Sequence, residues 1–218
     1  PFAAGTLPIG AGLLAFPLLL ALSFTIALTT LPPLFSAVLA AYYTLTLTYS
    51  MVLKRIMALD VIALAMLYTL RIFAGVAALS LTLTFWLLAF AMFLFLSLAL
   101  AKRFAEVRDA LERGRPGKTR GRDYETTDLE MISSLGAASG YQAVLVLALY
   151  IREQSTVALY SNPEVLWLAC PVLLFWITRV WMLTHRGQMH EDPVVFAARD
   201  WVSQAAGVMF LLTFLAAS

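Results

Sequence analysis

Seven apolar stretches, each long enough to cross a bilayer, decide the fold class of this chain before any other feature is weighed. They fall at about 8–30, 33–52, 57–80, 83–101, 131–151, 164–184 and 198–217, where a spanning helix needs about 20 mostly apolar residues. Lipid offers no partner to an unpaired backbone N–H or C=O, so runs of this length fold as helices, and they are too continuous for barrel strands. The expectation is an all-α, polytopic membrane helix bundle. Composition agrees: the 218 residues are 61% hydrophobic and only 13% charged, where a soluble domain carries about 25% charge. A net charge of +2 gives no reason to expect a nucleic-acid partner. Cys170 stands alone and forms no internal disulfide. The opening "PFAAGTLP" has no basic segment ahead of its apolar run and does not read as a signal peptide.

Breakers separate the stretches: Pro32-Pro33, the polar knot at Lys54-Arg55, Ser80, and "YSNPE" at 160–164. Orientation follows from counting Lys and Arg on alternate sides. One side receives Lys54, Arg55, the 102–130 loop and the 185–199 loop, while the other offers little beyond Arg152. The basic side is expected to face the cytoplasm from a cell (inner or plasma) membrane. In the long loop, "ERGRPGKTRGRD" reads as a solvated positive anchor.

Charge inside or beside the apolar stretches asks for a reason, because an unpaired ion there costs several kcal/mol. "YSMVLKRIMALDVIALAMLYTLRIFAG" at 49–75 carries Lys54, Arg55, Asp60 and Arg71. Asp60 and Arg71 are eleven residues apart, close to three helical turns, so they share a face with Tyr68 between them. In "LALAKRFAE", spacings of three and four place Lys102 or Arg103 beside Glu106, as an ion pair or as ligand-facing groups. Arg179, His185, Arg186 and "MHEDP" at 189–193, with His190 and Asp192, fall on the same side. For Arg71 the structural alternative is a bond to backbone carbonyls of a neighbouring helix. A cationic cavity with a few carboxylates suits a phosphorylated lipid, since Arg and Lys make charge-assisted bonds to phosphate and carboxylates can hold Mg²⁺. No "GxxxxGK[ST]" loop occurs, and two histidines make no zinc motif.

"YSMVLKR", then "LDVIALAMLYTLRIFAG", then "FLFLSLALAKRFAE", continued by "SGYQAVLVLALYI" and "FWITRVWMLTHRGQMHEDPVVFAARD", resemble the UbiA-type intramembrane prenyltransferase superfamily. The likeness is narrower to the branch of decaprenyl-phosphate phosphoribosyltransferases, some fused behind a phosphatase-like domain. Tyr49 to Lys54 falls where that superfamily has its cytoplasmic Tyr/Lys motif. The resemblance implies that residues 1–218 form one transferase domain. It also implies that two further helices and the first aspartate-rich motif, with the main Mg²⁺ ligands, lie ahead of Pro1, which brings seven helices to nine. Prenyl-diphosphate members carry a second D-x-x-x-D where this chain has Lys102, Arg103 and Glu106. That departure favours direct contact with phosphate over a second metal.

The resulting expectation is a Mg²⁺-dependent cell-envelope transferase. It moves phosphoribosyl from phosphoribosyl diphosphate to a polyprenyl phosphate. The alternatives are prenyl transfer from a prenyl diphosphate to an aromatic acceptor, and transport of a phosphorylated or anionic solute; no inverted repeat favours transport. Asp60, Tyr49 and Glu106 are assigned catalytic roles, with Asp60 also an available metal ligand. Lys54, Arg55, Arg71, Lys102 and Arg103 are assigned to phosphate, and Tyr68, Arg179, His190 and Asp192 to supporting roles.

Overall fold

A computed structural model describes residues 9–82, 84–113, 123–189 and 192–218. Its long elements are helices: α1 (Ile9–Thr30), α2 (Pro33–Met51), α3 (Leu59–Ala78), α4 (Phe85–Glu112), α5 (Leu129–Arg152), α6 (Gln154–Val157), α7 (Ala169–His185), α8 (Pro193–Arg199) and α9 (Trp201–Ala217). Short 3₁₀ turns sit at Leu53–Arg55, Thr126–Asp128 and Pro163–Leu168. No strand occurs among the described residues. Among the described residues six helices are long and apolar enough to cross a membrane, and a seventh span results if α8 and α9, bent by 85°, count together.

Local chemistry sets most of these boundaries. Pro33 opens α2 at its first turn, where its missing N–H is no loss. Ser80, with φ +53, turns the chain after α3. Thr84 caps α4 by accepting from Leu87 N at 3.3 Å. Asp192 accepts from Val194 N at 3.0 Å to cap α8, and Asp200 accepts from Ser203 N at 2.8 Å to cap α9.

Two elements depart from the hydropathy reading. α4 continues past residue 101 to Glu112. Its polar end is laced by pairs three or four residues apart, Arg103 with Glu106, Arg108 with Glu112 and Asp109 with Arg113. The last apolar stretch is broken at Asp200: the 17 residues of α9 span about 25 Å at 1.5 Å per residue, short of the roughly 30 Å hydrocarbon core.

The core lies where α4, α5 and α7 meet. Ser97 of α4, fully buried, donates to the Gly136 carbonyl of α5 at 2.7 Å and accepts from Trp181 Nε1 of α7 at 3.0 Å. Phe104, Val107, Ile132, Leu147 and Ile177 pack around this relay. Gly136 makes the close approach possible, because a Cβ there would overlap the Trp181 indole ring. Gly136→Ala should therefore lower the detergent-solubilised protein's stability by roughly 1–3 kcal/mol, the usual overpacking cost, read as a lower melting temperature. An unchanged melting temperature would mean that the indole has room to move.

Candidate active site

Asp60 stands in the first turn of α3, preceded by Ala58 in a left-handed conformation (φ 65). Its carboxylate is buried to 1% exposure, and so is the Arg103 side chain that α4 brings against it, with Arg103 Nε 3.0 Å from Asp60 Oδ2. Tyr124, from the segment leading into α5, donates its hydroxyl to Asp60 Oδ1 at 2.6 Å and accepts from Ala58 N at 3.1 Å. Arg103 Nη1 is paired with Glu106. Arg103 Nε, for all its closeness to Asp60, and Nη2 are both buried without a hydrogen bond. Burial, and then the bond to Asp60, push the Tyr124 phenol well above the usual tyrosine range, so it stays a proton donor.

Lys102 points to the other side of the α4 exit and meets Asp192 at 2.6 Å, a pair with side chains 32% and 22% exposed. Both line a cavity of about 250 Å³ together with Glu106, Arg108, Thr184 and Gly187. Gly187 has φ +73, and a Cβ there would stand 3.2 Å from the Arg108 guanidinium, so only glycine suits the position. An apolar cleft lies beside the same helix, lined by Phe90, Leu94, Leu173, Trp176 and Phe210.

Arg71 is in a different setting. It is exposed, it donates to the Tyr42 hydroxyl of α2 from Nε (3.1 Å) and Nη2 (2.7 Å), and its guanidinium lies over the rings of Tyr42 and Tyr68. Tyr68 in turn stacks on Phe95 of α4, with ring centroids 5.1 Å apart. The partner of Arg71 is thus a hydroxyl and two aromatic faces, not the backbone carbonyls of a neighbour. Although Asp60 and Arg71 share a helix, the first is engaged by α4 and the second by α2.

The remaining predicted residues are scattered. Tyr49 and Lys54 are partly buried and Arg55 exposed around the α2–α3 turn, with no ion pair to another described residue. Arg179 makes a two-pronged pair with Asp200, at 2.5 and 3.1 Å, that fixes the α8–α9 corner. His190 lies outside the described residues. Among the described residues, no three His, Cys, Asp or Glu side chains gather to hold a metal, and both Asp60 oxygens already have partners. The described residues do not fit a Mg²⁺ centre of their own. Sequence reasoning missed Tyr124; its one signal was an aromatic residue in an otherwise polar loop.

The site joins an ionic cluster to an apolar cleft along one membrane helix, and comparison with known proteins gives this arrangement a context. The UbiA prenyltransferase family matches residues 1–216. The chain belongs to the UbiA prenyltransferase family. It is 36% identical over 216 residues to the uncharacterized protein y4nM of Sinorhizobium fredii, a match that covers 99% of this chain and 42% of that protein. It is also 33% identical over 185 residues to the nodulation protein NoeC of Azorhizobium caulinodans, covering 81% of this chain and 59% of that one. The chain therefore spans about half the length of these curated relatives. UbiA membership agrees with the multi-pass helical architecture.

Proposed function

We propose that this UbiA-family chain is the membrane part of a transferase acting on polyprenyl phosphate or prenyl diphosphate lipids. Within that class we propose phosphoribosyl transfer from phosphoribosyl diphosphate to polyprenyl phosphate, as in the decaprenyl-phosphate phosphoribosyltransferase branch. The observation that carries this reading is the Lys102–Arg103 step of α4. There the apolar stretch ends in two cations, one lining a polar cavity and one buried with two guanidinium nitrogens lacking a hydrogen bond. The apolar cleft about two to three and a half turns back on the same helix suits a prenyl chain.

In this reaction an oxygen of the lipid phosphate attacks the anomeric carbon of the ribose. The bond from that carbon to the diphosphate oxygen breaks, and diphosphate leaves with the electron pair. Lys102 and Arg103 serve by stabilising negative charge on the departing group. Mg²⁺ belongs to the proposal as a cofactor of the whole protein, and no step is assigned to it. The cationic side is proposed to face the cytoplasm, on the strength of the basic loops.

The test uses the full-length protein that carries this chain, in sealed inside-out membrane vesicles. Labelled phosphoribosyl diphosphate, which does not cross membranes, is added outside with polyprenyl phosphate in the bilayer. Label should pass into the lipid fraction in these vesicles and not in right-side-out ones. Prenylation of an aromatic acceptor from a prenyl diphosphate, without phosphoribosyl transfer, would overturn the finer reading. Label accumulating in the lumen would replace it with transport.

A further inference from the structure

Tyr124 has no place in the chemistry above, yet it makes the longest reach in the cluster, bonding residues 64 and 66 positions away. It is 4% exposed, and one hydroxyl does two things. It accepts from Ala58 N, holding the left-handed residue that sets the start of α3, and it donates to Asp60. Asp60 uses its other oxygen on Arg103 Nε, and Glu106 takes Nη1. Two carboxylates, Asp60 and Glu106, therefore meet one guanidinium, yet Nε and Nη2 are both buried without a hydrogen bond, and of these Nη2 has no ion-pair contact either. An Arg cannot shed its proton to escape that situation, and a buried donor left without an acceptor is costly. A guanidinium held between two carboxylates, with a buried nitrogen left without any acceptor, is the arrangement expected of a preorganised anion donor.

We propose that Tyr124 is a positioning residue which, through Asp60, aims Arg103 Nη2 at a phosphate oxygen of the substrate. This rests on the reading of Arg103 as an anion-binding group. Asp60 is then a positioning residue as well, with neither oxygen in hand for proton abstraction or metal. It also means that Tyr124, on the approach to α5, contributes to the site. The ligand class is a phosphate or diphosphate ester, recognised by one strong N–H···O contact from a side chain that cannot rotate away.

The experiment is a double-mutant cycle in the full-length protein, with inorganic diphosphate as the probe, binding read by calorimetry and folding by melting temperature. Tyr124→Phe removes one oxygen and keeps the ring. It should weaken diphosphate binding about tenfold, the scale of a hydrogen bond to a charged group. Arg103→Lys should weaken it at least as much, and the double variant should bind no more weakly than Arg103→Lys alone, because both changes act on one contact. Should Arg103→Lys fail to fold, Glu106→Gln takes its place in the cycle, with the same non-additivity expected. Additive losses, or a Tyr124→Phe variant that melts lower but binds as the parent does, would reduce Tyr124 to packing. A wild-type protein that binds no diphosphate would remove the anion site itself, and the proposed function with it. Normal wild-type binding that is indifferent to Tyr124→Phe would remove only the role of Tyr124.

Discussion

Replacing Asp60 by alanine should destabilise the protein by about 3–5 kcal/mol, the cost of stranding one partner of a buried ion pair. Both side chains are 1% exposed, so water cannot soften the loss. Arg103 would keep its charge with Nε stripped of its counter-ion, and Tyr124 would lose its acceptor. Asp60→Asn, which keeps a hydrogen-bond acceptor but not the charge, should fall between wild type and alanine. Converting both partners, Asp60→Leu with Arg103→Met, should recover much of the stability, since apolar replacements of buried pairs are often neutral or better. That recovery would come without transfer activity if the pair serves the reaction. Melting temperature in a single detergent, measured beside phosphoribosyl transfer, reads both effects. An Asp60→Ala protein that melts with the wild type would show that the pair contributes nothing to the fold.

Lys102 and Asp192 should behave in the opposite way, with large effects on binding and small ones on stability. Their pair is partly exposed, and such pairs contribute about 0–1 kcal/mol. If Lys102 grips substrate phosphate, Asp192 is the counter-ion that the substrate must displace. Lys102→Gln should then weaken diphosphate binding roughly 10- to 100-fold, while Asp192→Asn should tighten it. Asparagine caps a helix as well as aspartate does, so the start of α8 should survive the change. The sign separates two roles. A loss on Asp192→Asn as deep as that on Lys102→Gln would mean that the carboxylate itself is used by the reaction.

Bilayer-length apolar runs made the helices legible, because span length and breaker residues are local properties that periodicity and composition record directly. Pro32-Pro33 and Ser80 mark real turns. The end of α4 was less legible, since hydropathy falls at Lys102 while the helix continues on intrahelical ion pairs. The corner at Asp200 was hidden for a related reason: it is fixed by Arg179, 21 residues away. The site shows the same division. Spacings of three and four left Lys102 or Arg103 open as the partner of Glu106, and the structure pairs Arg103 with it and Lys102 with Asp192. The union of Asp60 with Arg103 and Tyr124 depends on how α3, α4 and the approach to α5 pack together, which no local pattern encodes. The shared face of Asp60 and Arg71 was a fair inference from 3.6-residue periodicity. It said nothing of the about 16 Å between them along the axis, and that separation sends the two side chains to different neighbours.

The uneven burial of the spans has a mechanical consequence. Only 6% of the span in α1 and 6% of that in α2 is covered by the rest of the described protein, against 44% of the span that includes α5. Local opening costs least where few contacts must be broken. Because lipid keeps both helices folded, the cheap motion is tilting or sliding, so spin labels on α1 and α2 in nanodiscs should show broader distances to α5 than labels beside the Ser97–Gly136–Trp181 junction do. Within these 218 residues α4, α5 and α7 are the stiff keel, and α1 and α2 present a face left for lipid or for further protein to cover.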